Sequence, residues 1–197
     1  MKRDEPRAHF LKSAAEDSRC PAPENECAKQ SYLVPGNQVL AWAREKGTVC
    51  AMYAAVRRKV TVGRLSESAL DFHGTGKPPL AKDWIGHWKS DRADIHIRGV
   101  DARHIEIEGD AMWGADDPAR VANGSVHTGE IELTRARLTG YTLHIFEGQG
   151  NAPPEHDDKQ GCYVDLTLLN GTLLVKDDDQ CGGQNVTFSG EYQRVAP

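Results

Sequence analysis

The sequence is poor in aromatic residues, which make up 7% of its 197 positions, and no apolar run approaches the roughly 20 residues a membrane-crossing helix requires. No CxxC pair occurs among the five cysteines, so the spacing of a zinc ribbon or finger is missing. A G-x-S-x-G elbow, a phosphate-binding loop, an H-E-x-x-H helix and a dinucleotide fingerprint are all lacking, which removes support for the familiar enzyme classes that use them. A basic surface is lacking too. The formal net charge is -5, whereas a nucleic-acid coat needs cations to displace counterions. Met1 to Phe10 is charged and has no apolar core of the kind a secretory signal carries. No cofactor is implied.

What is present suffices for packed domains, because 39% of the residues are hydrophobic. Charge is unevenly distributed. Residues 1–80 carry 13 Lys and Arg against 9 Asp and Glu, and residues 81–197 carry 11 against 20. The change falls near the breaker run Gly74-Thr75-Gly76-Lys77-Pro78-Pro79 and points to two modules joined at a loop. Residues 1–26 are polar, contain Pro6, Pro21 and Pro23, and read as a leader or tether. Residues 27–80 and 81–197 then form the two domains, and the fold class is all-β.

In the first domain, short β-rich runs at Tyr32-Leu33-Val34, Gln38 to Trp42, Val49 to Tyr53 and Val60-Thr61-Val62 are separated by turn-forming or charged residues, the pattern of a small antiparallel barrel. The string Tyr32-Leu33-Val34-Pro35-Gly36-Asn37-Gln38-Val39, followed by Val49-Cys50-Ala51-Met52-Tyr53 and Val62-Gly63-Arg64-Leu65, resembles the SH3-like modules of bacterial envelope proteins. Asn37 stands where those modules usually carry an acid, and Arg64 where they usually carry an aromatic. The resemblance implies a packing module.

The second domain alternates apolar and polar residues over eight runs: Ile85 to Lys89, Asp94 to Arg98, His104 to Glu108, Gly129 to Leu138, Tyr141 to Phe146, Tyr163 to Leu169, Thr172 to Lys176 and Val186 to Arg194. Eight antiparallel strands favour closure into a barrel, which removes unpaired edges. Asn170-Gly171 sits between two apolar runs and is the strongest two-residue hairpin signal. Folding about it brings Cys162 to Cys181, whose bridge stabilises the module by roughly 3 kcal/mol through lost chain entropy. A second bridge is expected between Cys27, beside the first strand, and Cys50. Disulfides place the protein in an oxidising compartment, periplasmic or secreted.

Trp84-Ile85-Gly86-His87-Trp88 and the closing Phe188 to Arg194 are similar to the opening G-x-W and terminal basic residue of calycin-type barrels, in which the arginine lies across the indole. The ending from Asn170 through Cys181-Gly182-Gly183-Gln184-Asn185-Val186-Thr187-Phe188 to Arg194 resembles that of small secreted bacterial proteins, some associated with lysozyme-inhibitor-like families. These likenesses imply a non-enzymatic envelope protein, an inhibitor or immunity protein against a basic cell-wall hydrolase or another envelope-targeted toxin.

Two stretches carry most of the polar chemistry. Asp94, His96 and Arg98 alternate on one strand and His104, Glu106 and Glu108 on the next, a face that could hold a metal through His96, His104 and Glu106 in a metal-dependent hydrolase. Ile95, Ile97, Ile105 and Ile107 claim the core side, which leaves those polar groups in solvent. Glu155-His156-Asp157-Asp158 and Asp177-Asp178-Asp179 read as two exposed acidic turns. Pro153, Pro154, Glu155, His156, Asp157 and Asp158 are the expected partner contact, a proline-stiffened acidic loop suited to a basic protein. A third alternative is a carrier of a small apolar ligand, against which Leu133, Leu143, Leu166 and Leu168 weigh as core fillers.

Overall fold

The computed structural model describes residues 7–22, 25–54, 60–72, 78–147 and 161–196. The chain divides into two compact units, residues 1–77 and 78–197.

The first unit is a five-stranded antiparallel sheet of β1 (Ala8–Leu11), β2 (Ala28–Leu33), β3 (Leu40–Glu45), β4 (Thr48–Tyr53) and β5 (Thr61–Ser66), in the order β2-β1-β5-β4-β3. Alternation along β4 turns Val49 and Ala51 inward, where they pack with Phe10, Leu33, Leu65 and Leu70. The residues read as a tether thus supply a strand with neighbours on both sides, with Ala8 opposite Leu33 and Leu11 opposite Arg64.

The pairing expected for Cys27 is also corrected. Cys27 bonds to Cys20, seven residues away, and both half-cystines are buried against Leu11. Cys50 is a free thiol. The strand's period of two explains why: with Val49 and Ala51 committed to the core, Cys50 emerges on the opposite face, where Arg64 donates to its sulfur at 3.4 Å.

The second unit is a nearly closed eight-stranded antiparallel barrel. A helical turn, α1 (Ala81–Trp84), leads into β6 (Gly86–Lys89), β7 (Ala93–Gly99) and β8 (His104–Trp113). The single-turn α2 (Pro118–Ala122) precedes β9 (His127–Arg137) and β10 (Thr142–Glu147), and the chain ends with β11 (Cys162–Leu169), β12 (Thr172–Asp177) and β13 (Gly190–Arg194). The strand order is β10-β11-β12-β13-β6-β7-β8-β9. Asn170 and Gly171 both take positive φ, 51° and 78°, the two-residue turn that their sequence specifies. Trp84, Trp88, Ile95, Ile107, Phe188 and Tyr192 are wholly buried inside.

Both ends of the barrel are held by specific contacts. At one, Arg194 lies 4.6 Å over the Trp88 ring and donates to the Asp83 carbonyl, while the Trp88 indole donates to the Trp84 carbonyl at 2.8 Å. At the other, the Cys162–Cys181 bridge anchors a loop in which Gly183 N–H donates to the Thr128 carbonyl at 3.0 Å. A side chain at Gly129 would collide with the Cys181 carbonyl, so the close passage of loop over strand requires glycine there. Burial pushes the Tyr192 phenol well above its ordinary range, and its hydroxyl donates to the Phe188 carbonyl at 2.8 Å.

Candidate functional site

The barrel's seam lies between its two terminal strands, β9 and β10, which no ladder joins among the described residues. Beside it, β9 shifts phase. Ile131 and Leu133 face inward opposite Gly109 and Ile107, but the next inward residue, opposite Ile105, is Ala136. Thr134 and Arg135 therefore share the place opposite Glu106 in a β-bulge, which bends the strand and turns Arg135 outward. On β10, Leu143 and Ile145 are buried.

Between these strands is a cleft of about 290 Å³. Leu133, Ala136 and Leu143 supply its apolar floor, and His104, Arg135, Arg137 and His144 its polar rim. Asp101 organises one side: its carboxylate meets His104 Nδ1 at 2.8 Å and accepts from Arg135 at 3.0 Å. The backbone N–H of Arg103, followed by the His104 ring, holds the Asp101 carboxyl below the usual carboxylate range. Across the cleft, His144 Nδ1 lies 2.6 Å from Asp165. Arg137 makes no ion pair among the described residues. The arrangement combines two guanidinium groups suited to carboxylates with the edges of two strands suited to an extended backbone.

The polar face expected on β7 and β8 is assembled differently from the expectation. Antiparallel pairing reverses the order of the second strand, so His96 stands opposite Glu108 and Arg98 opposite Glu106. Arg98 bridges Glu106 at 3.3 Å and Glu108 at 2.9 Å, and the Arg98 guanidinium holds the Glu108 carboxyl below its usual range. His104 belongs instead to the Asp101 and Arg135 cluster, so the set His96, His104 and Glu106 does not converge. Among the described residues no three His, Cys, Asp or Glu side chains are grouped to hold a metal.

Sequence reasoning missed two participants. His87, absorbed into the Gly-His-Trp opening of the barrel, stands opposite His96 on the outer face. Arg135 looked like one more outward residue, although the offset from Leu133 to Ala136 is the visible sign of the bulge. Asp177 is a correction: its carboxylate is buried and accepts from Thr187 Oγ1 at 2.7 Å, the Phe188 N–H at 2.7 Å and the Ser189 hydroxyl. Pro153, Pro154, Glu155, His156, Asp157 and Asp158 lie outside the described residues. Comparison with protein-family models, curated proteins and solved structures finds no match for this chain.

Proposed function

We propose that the protein works by binding rather than catalysis, as an envelope inhibitor or immunity protein directed at a cell-wall hydrolase or another envelope-targeted toxin. The SH3-like and calycin-like readings of the two units, and a periplasmic or secreted location, belong to the same proposal. The observation that carries it is the β9–β10 seam: an apolar cleft with arginines on its rim, set between two terminal strands of a packed barrel. An extended partner segment would take main-chain hydrogen bonds from a strand edge and present carboxylates to Arg135 and Arg137. Two disulfides support an oxidising compartment. The bulky side chains inside the barrel favour this reading over carriage of an apolar ligand.

The test is a pull-down from envelope extract with the purified protein as bait, followed by binding kinetics against the captured hydrolase or toxin at several ionic strengths. Reversing Arg135 and Arg137 to Glu should speed dissociation. Reversing Glu155, Asp157 and Asp158 to Lys should slow association and flatten its dependence on salt. Unchanged affinity in the arginine variant would remove the seam from the contact, and unchanged association in the acidic-loop variant would remove that loop.

A further inference from the structure

A second site stands apart from the seam, on the outer face of β6 and β7. Trp88, Ile95 and Ile97 point into the barrel, so His87, Asp94 and His96 project outward together. The register pairs His87 directly with His96, and their rings stack with centroids 4.2 Å apart and planes inclined by 13°. Directly opposed residues on neighbouring strands have Cβ atoms only about 5 Å apart, close enough for both imidazoles to reach one ion.

Asp94 fixes one of these rings. Its carboxylate lies 2.5 Å from His87 Nε2 and 3.0 Å from the Lys89 ammonium. With Nε2 directed at the Asp94 carboxylate, His87 presents Nδ1 as its metal-binding nitrogen. A carboxylate behind an imidazole is the arrangement that orients histidine ligands in metal sites.

We infer that His87 and His96 form a two-imidazole site for a divalent transition metal of the zinc, nickel or copper class, with Asp94 as the outer partner of His87 and water completing the coordination. Imidazole nitrogen suits these ions, and metal–nitrogen bonds of about 2.0–2.1 Å require the His96 ring, which no hydrogen bond holds among the described residues, to turn out of the stack until its in-plane lone pair converges with that of His87. Bound metal would clip β6 to β7 from outside, across the strand that carries Trp88.

The experiment uses the full chain, stripped of metal and titrated with ZnCl2 or NiCl2 by calorimetry. One saturable equivalent is expected. His87→Gln and His96→Gln should each weaken binding by about ten-fold or more, and Asp94→Asn by about ten-fold, as loss of an outer partner does elsewhere. His144→Gln, across the barrel surface, should leave it unchanged. Both target side chains are partly exposed, so circular dichroism without metal should report folded variants. Should a variant fail to fold, imidazole nitrogen NMR of the wild-type protein decides: His87 and His96 resonances should respond first to added Ni²⁺. No saturable binding, wild-type affinity in either histidine variant, or a first response at other histidines would overturn the site.

Discussion

The two units solve the same packing problem with unequal means. In residues 78–197 the inward faces carry Trp84, Trp88, Phe188, Tyr192 and a set of isoleucines and leucines, all deeply buried. In residues 1–77 the main core is Ala8, Phe10, Leu33, Val49, Ala51, Leu65, Ala69 and Leu70, three of them alanine, while Trp42, Val62 and Phe72 remain exposed. Each buried methylene contributes roughly 0.8 kcal/mol, so the alanine-rich core offers much less against chain entropy. Covalent and polar ties must matter more there. The Cys20–Cys27 bridge and the contacts of Glu16 with Ser13 and Lys29 tie residues of the segment read as a tether to the strand that follows it. The difference teaches that a polar, proline-containing stretch can be ordered by a few directed contacts where a core is thin.

The largest effect is expected where the large core is emptied. Trp88→Ala should cost about 3–5 kcal/mol in the second unit, combining lost burial with a cavity and loss of the arginine contact. Leu33→Ala in the first unit should cost about 2–5 kcal/mol, a larger share of what that smaller core provides. Hydrogen exchange resolved to the strands of each unit measures both. A Trp88→Ala protein with unchanged protection in β6, β7 and β13 would overturn the assignment of Trp88 as a central core residue.

The disulfides come next and sharpen the contrast. By chain entropy, Cys162–Cys181 closes the longer loop and should contribute roughly 3 kcal/mol, while Cys20–Cys27 should contribute about 2.5 kcal/mol. Relative to their cores the order reverses. Replacing Cys20 and Cys27 by Ser should expose β1 and β2 to protease at temperatures where replacement of Cys162 and Cys181 leaves β6 to β8 protected. Equal resistance of the first unit with and without its bridge would show that its small core suffices alone.

Where strict alternation held, the fold was legible from residues. Ile95, Ile97, Ile105 and Ile107 set the inward faces of β7 and β8, and Asn170-Gly171 set the hairpin of β11 and β12. Legibility failed where a contact depended on distant pairing. Nothing local to Ala8–Leu11 announces a strand, because its partners are Ala28–Leu33 and Arg64. Asp177 looks like one more acid in an exposed run until the loop from Thr187 to Ser189 folds over it with three donors. The polar face of β7 and β8 was misread for the same reason: register decides that His96 meets His87 rather than His104, and a bulge decides where Arg135 points. Patterns of one strand show which face a residue takes, but pairing determines its neighbour.

The smallest expected effect tests whether polar ties sustain the first unit. The Glu16 carboxyl is lowered to about 2, first by the Ser13 backbone N–H and then by Lys29 and the Ser13 hydroxyl. Because its folded value lies below its unfolded value, near 4.5, the carboxylate contributes stability at higher pH that is lost as pH falls from about 4.5 toward 2. Glu16 is solvent-exposed, so screening keeps the contribution small and salt should reduce it further. Glu16→Gln should therefore lower the melting temperature of the first unit slightly at pH 6, and the gap from wild type should narrow steadily as pH falls from about 4.5 to about 2. Thermal melts across that range, at low and high salt, measure it. A gap that stays constant with pH would assign the loss to packing of the side chain, and the tie that orders the segment would then be the Cys20–Cys27 bridge rather than the charge.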